Sequence, residues 1–222
     1  MKIYKSSSLT SRIVKCLTVM VCAMFGAQAF ADITLSAHDF SAAAWNSTGE
    51  MCVTCHTPHN AGGAATGPLW NHTFSGELAY SVYTSPNGTL DAVAGQPSGA
   101  SKLCLSCHDG TVALESFGGN GAVTTTLMGA VNPLADVGTN LSDDHPISIS
   151  YAADTSLAGV GTAVTVGDLV TKTGTIGSEL VPGGTVECSS CHDVHNTYTF
   201  AGTPLLRLDP AGSTLCLTCH AK

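Results

Sequence analysis

Cys188-Ser189-Ser190-Cys191-His192 and Cys216-Leu217-Thr218-Cys219-His220 stand near the end of this chain, and the same Cys-x-x-Cys-His string occurs twice before them. The earlier copies are Cys52-Val53-Thr54-Cys55-His56 and Cys104-Leu105-Ser106-Cys107-His108, and the four together hold every cysteine beyond residue 31. Each has the spacing of a covalent c-type haem attachment site. The two thiols add to the porphyrin vinyl groups as thioethers, and the adjacent imidazole becomes an axial ligand of the iron. Four covalent haem c groups are therefore predicted, with His56, His108, His192 and His220 as proximal iron ligands. A disulfide framework or a zinc ribbon would use the same cysteines, but neither gives a reason for a histidine directly after all four pairs.

Working outward, the first 31 residues read as a signal peptide. Lys2, Lys5, Arg12 and Lys15 make a basic region, residues 16–25 a short apolar core, and Ala29-Phe30-Ala31 a cleavage signature. The core is well short of the ~20 apolar residues that span a bilayer, so no membrane span is predicted. Removal of the leader would leave residues 32–222 with four of the eight basic residues and all sixteen acidic ones, a net charge of −12. No basic stripe is available to neutralise phosphates, which argues against nucleic acid as a partner. Export also fits the cofactor, since c-type haem is attached outside the bacterial cytoplasm.

The sequence reads as two versions of one pattern. One runs His38-Asp39-Phe40-Ser41, Cys52 to Asn60 (CVTCHTPHN), Gly67-Pro68-Leu69 and a stretch ending at Cys104-Leu105-Ser106-Cys107-His108. The other runs His145-Pro146-Ile147-Ser148, Cys188 to Asn196 (CSSCHDVHN), Gly202-Thr203-Pro204-Leu205 and the terminal Cys216 to His220 motif. A single domain over residues 32–222 is expected, built from two-haem units at about 32–119 and 140–222. Gly and Pro make up roughly 17% of residues 32–222 against an average near 12%, which disfavours long regular elements. The expected fold is that of a multihaem cytochrome c: mostly coil, short helices at or after the haem motifs (for instance 111–117), and a small hairpin from 163–167 and 169–171. Stacked haems would form the core, and the apo-protein would be unfolded.

Four six-coordinate irons need eight axial ligands, and the chain has nine histidines. Methionine is the competing ligand type, but beyond the leader only Met51 and Met128 remain, and Met51 abuts Cys52. Bis-histidine ligation follows, with His38, His59, His145 and His195 as distal ligands. The repeat pairs His38 with His145 and His59 with His195, which leaves His72 as the spare, a surface or propionate-bonding residue beside Trp70. His59 and His195 lie three residues past a proximal ligand, too close to reach the far face of the same iron, so each is expected to serve a different haem. Asp39, Asp109, Asp144 and Asp193 are candidates for orienting the imidazoles.

The HDFS element, CVTCHTPHN, PLWNH, KLCLSCHDGTVA, DHPIS, CSSCHDVHN and LCLTCHAK resemble the OmcE-type tetrahaem cytochromes of metal-reducing bacteria. That resemblance covers most of residues 36–222, with 151–186 the least diagnostic part. It implies an extracellular filament whose subunits share an axial histidine, for which His38 is the candidate because an N-terminal arm can reach a neighbour. It also implies redox-partner cytochromes and extracellular electron acceptors. The alternatives are a discrete periplasmic tetrahaem carrier and a multihaem reductase. A reductase needs an open axial position, and because every iron can be given two histidines the chain is read as a non-enzyme.

Overall fold

The computed structural model describes residues 33–34, 36–61, 69–74, 76, 79–85, 87–88, 90–119 and 125–220. The expected leader, Gly67-Pro68 of the first Pro-Leu step, residues 120–124 and Lys222 lie outside them. The chain divides into Met1–Ala31 and Asp32–Lys222, and all the described residues belong to the second unit.

That unit is mostly coil, with short helices and two-stranded sheets. In chain order the elements are strand β1 (Ser81–Val82), helix α1 (Gly99–His108), helix α2 (Met128–Val131), strands β2 (Asn140–Leu141), β3 (Ile149–Ser150), β4 (Ala163–Val166) and β5 (Lys172–Thr175), a π-helical turn (Ile176–Leu180), strand β6 (Thr185–Val186), helix α3 (Cys188–Cys191) and helix α4 (Thr214–Cys219). β1 pairs with β2 in parallel, and β3 with β6 and β4 with β5 antiparallel.

The helices run into the attachment motifs rather than away from them. α1 ends on His108 because Gly110 turns left-handed (φ 69°) and Asp109 folds its carboxylate onto Thr111, accepting from its N–H (2.9 Å) and hydroxyl (2.8 Å). That turn replaces the helix expected over 111–117, a consequence of Gly and Asp at the helix end.

The hairpin forms, with its second strand shifted. Ala163 pairs with Thr175 and Val166 with Lys172, so Leu169 and Val170 occupy the turn, 88% and 55% exposed. Gly167 sets the reversal at φ 81°, where a Cβ would collide with the Val170 carbonyl. Asp168 then accepts from the N–H groups of Leu169 and Ala201. These two bonds hold the segment in a turn that its alternating residues alone would not announce.

β4 and the π-helical turn carry an apolar cluster that the composition did not lead us to expect. Tyr151, Val164, Val166, Ile176, Leu180, Val181 and Leu208 pack together, with Val166 and Ile176 wholly buried. Each such side chain contributes on the order of 1.5–3 kcal/mol of burial free energy. The π-helical turn is entered through a reciprocal cap, in which Thr175 Oγ1 accepts from Ser178 N–H (3.2 Å) and Ser178 Oγ from Thr175 N–H (3.0 Å). Its wide ring closes between Val181 N–H and the Ile176 carbonyl (3.0 Å).

Candidate haem centres

Each attachment motif folds as one helical turn. His56 N–H donates to the Cys52 carbonyl (2.8 Å), His192 to Cys188 (3.0 Å) and His220 to Cys216 (2.9 Å), while the second motif lies inside α1. Positions i, i+3 and i+4 share a helix face, so such a turn presents two sulfurs and an imidazole together. None of the eight cysteines, Cys52, Cys55, Cys104, Cys107, Cys188, Cys191, Cys216 and Cys219, is paired in a disulfide.

Two of the turns continue into loops with the same backbone geometry. Asn60 and Asn196 are left-handed (φ 56° and 55°), as are Leu69 and Leu205 (57° and 60°). Thr57 N–H donates to Leu69 and Asn71 N–H to Cys55 (2.9 Å each); likewise Asp193 N–H donates to Leu205 (2.9 Å) and Arg207 N–H to Cys191 (2.8 Å).

The imidazoles come in twos. His38 faces His108 with ring centroids 6.0 Å apart, His56 faces His195 at 6.2 Å, and His145 faces His220 at 6.3 Å. Interplanar angles of 86°, 22° and 68° rule out a common stacking preference as the cause. Two imidazole–metal bonds of ~2 Å plus the two ring radii give about 6 Å, so the centroid separation of each pair matches that of two imidazoles on one metal ion. In every pair one member belongs to a Cys-x-x-Cys-His string and the other does not. His56 is partnered by a histidine from far along the chain, not by its near neighbour His59.

Among the described residues no second imidazole faces His192 at such a distance. His59 is exposed. His72 is 3% exposed, buried where residue 72 bridges to Phe117, with Nδ1–H donated to the Thr73 carbonyl (2.9 Å). A surface role for it is thereby replaced by an interior one, because Trp70-Asn71-His72 runs as an extended segment against the chain after α1.

Main-chain carbonyls orient three of the imidazoles. His108 Nδ1–H donates to Ala135 (2.7 Å), His192 Nδ1–H to Pro204 (2.8 Å) and His145 Nδ1–H to Pro146 (2.9 Å). A proton fixed on Nδ1 leaves the Nε2 lone pair for a metal. Asp109 instead accepts from the Tyr80 hydroxyl (2.6 Å) and Thr111, and Asp193 accepts from the N–H groups of His195 (3.1 Å) and Tyr198 (2.9 Å). Burial pushes His38 down to about 4, with His108, His192 and His195 adding to the effect, so it is neutral at pH 7. The neutral form is the one that ligates.

The sulfurs form a series of neighbours. Cys107 is pushed up to about 12 by burial and then by the charge of Cys55. Cys104 hydrogen-bonds Cys188, which raises the first thiol and lowers the second to about 7. Burial and then Cys219 raise Cys191. The histidine pairings, which tie distant parts of the chain, had no sequence signal; the Nδ1 partners, being carbonyls, had none either.

The residues present fit covalently held haem: paired thiols and an adjacent imidazole on one turn, and a second imidazole beyond it in three cases. Among the described residues no helix is long and apolar enough to cross a membrane. No curated protein matches the chain. Residues 181–222 match the doubled CXXCH motif family. This paired haem-binding motif, with the short helices, small sheets and extensive coil, supports a multihaem c-type cytochrome involved in electron transfer.

Proposed function

We propose that the protein is an exported tetrahaem electron carrier that works as the subunit of an extracellular filament, delivering electrons to external acceptors. The observation that carries this reading is the set of three imidazole pairs at 6.0–6.3 Å. Bound haem iron supplies one-electron redox chemistry. The chain's part is to supply the imidazoles: His38 with His108, His56 with His195 and His145 with His220 would hold iron from two sides, leaving neither a substrate nor dioxygen a coordination site there. His108 and His192 are held rigidly through Nδ1 by carbonyls, which limits reorganisation when the charge at the centre changes. The packing of α1 on α3 brings the second and third motifs together, and such close approach is what charge hopping requires.

His192 and the exposed His59 are left unmatched within one chain, whereas His38 already faces His108. We therefore assign the ligand that crosses between subunits to His59, in place of His38, with His192 of a second copy as its counterpart. Such a contact is head-to-tail, the class that generates a filament when its rotation does not close.

Ferric EPR with electron microscopy tests both parts. Assembled protein should show only low-spin haem, and dispersed subunits one high-spin centre in four. His59→Ala should keep that high-spin centre and form no filaments, while His195→Ala should assemble with a new high-spin centre. Low-spin signals throughout in dispersed wild-type subunits would favour a discrete carrier. A high-spin centre persisting in assembled wild-type protein would favour a reductase.

A further inference from the structure

The second and third attachment motifs meet where α1 packs on α3. The Cys188 N–H donates to Ser101 Oγ (3.1 Å), on the same helix as Cys104. Glu187 sits at this contact. Its Oε2 accepts from the Ser101 N–H (3.1 Å), the Ser101 hydroxyl and the Ser148 hydroxyl (3.2 Å). Its own N–H donates to Ser190 Oγ (2.9 Å), which fixes its backbone at the start of α3.

The surroundings are shaped for that carboxylate. Gly99 has φ 50°, and a Cβ there would lie 2.9 Å from Glu187 Oε1. Ser98 precedes α1 but makes no side-chain cap, and its N–H is taken by Ser148 Oγ (2.9 Å). Glu187 thus caps α1 from a distant part of the chain, holding a negative charge at the positive end of the helix. One carboxylate therefore ties α1, the 147–148 segment and α3, and its field reaches the Cys188 sulfur.

We propose that Glu187 is the positioning residue for electron transfer between the second and third haems: it fixes the approach of their two attachment turns and holds an anion beside both. This rests on the haem reading above. An anion near a haem stabilises the more positive ferric form, so its presence lowers the reduction potential. The bond to Ser148 disperses part of that charge.

Spectroelectrochemical titration of fully loaded protein is the test, with haem content and thermal melting measured on the same samples. Glu187→Gln keeps an acceptor oxygen and removes the charge; two of the four potentials should rise and two stay. Ser148→Ala keeps the charge and removes a donor; the same two potentials should fall. Unchanged potentials in Glu187→Gln, or a shift of the same sign in both variants, would overturn the proposal. If Glu187→Gln loads fewer than four haems, Ser148→Ala alone decides it, a fall in two potentials supporting and no change refuting. A wild-type chain that takes up no haem would instead sink the underlying reading.

Discussion

At the scale of single residues, Glu179 shows how the structure manages charge. It is 6% exposed, with Lys172 Nζ 2.9 Å and Arg207 Nη2 3.9 Å from its Oε2. Burial alone would push its carboxyl up; the Lys172 and Ser178 hydrogen bonds and the charges of Lys172 and Arg207 outweigh it and hold the group below its ordinary value. A carboxyl depressed in the folded state stabilises above its unfolded pKa, near 4.3, and that contribution is lost as pH falls through the folded value. Glu179→Gln should cost roughly 1–3 kcal/mol at pH 7. Urea melts of variant and wild type at pH 7 and pH 3 should converge at the lower pH.

The histidines teach the same lesson about reach. His56, His108, His192 and His220 stood out as candidate proximal ligands because each follows a Cys-x-x-Cys string. His38, His145 and His195 were legible as candidates because the repeat and the count of ligands singled them out. Which faces which was not, because His56–His195 and His145–His220 join segments whose approach depends on the whole fold. His72 escaped too: nothing in Trp70-Asn71-His72 announces burial against Phe117.

Among the elements, the β4–β5 hairpin and its π-helical turn are the most conventional piece of protein. The hairpin was legible from the alternation of 163–166, but its turn was misplaced. Leu169-Val170-Thr171 has strand-like residues, while the left-handed Gly167 and the Asp168 bonds to Leu169 and Ala201 bend it away. Gly167→Ala should therefore destabilise by about 1–3 kcal/mol, read as a fall in melting temperature at unchanged haem content. Ile176→Ala, at a wholly buried site, should cost about 2–5 kcal/mol. The helix expected over 111–117 does not form because Asp109-Gly110 reads as part of the motif yet acts as a stop.

For the molecule as a whole, regular structure is sparse, and among the described residues an apolar cluster draws its members from 151–208. Covalent attachment restricts the unfolded chain much as disulfides do, and porphyrin faces add apolar area to bury. Chain made without haem attachment should lack a cooperative thermal transition over residues 33–119, whereas the 151–208 cluster should retain slow amide exchange. Exchange followed by NMR on apo-protein distinguishes these halves; uniform fast exchange would mean that even the hairpin depends on the cofactor. The overall character, short elements in extensive coil, was legible from abundant glycine and proline. The independent cluster was not, because its members are scattered between Tyr151 and Leu208.

The face-to-face placement of His56 and His195 has a mechanical corollary. An iron held by these two rings would act as a rivet between residues 56 and 195, so pulling on the chain ends would load a coordinate bond as well as the packing. A strong exogenous ligand such as cyanide, by taking one side of that rivet, would lengthen the tethered span in a single discrete step under force.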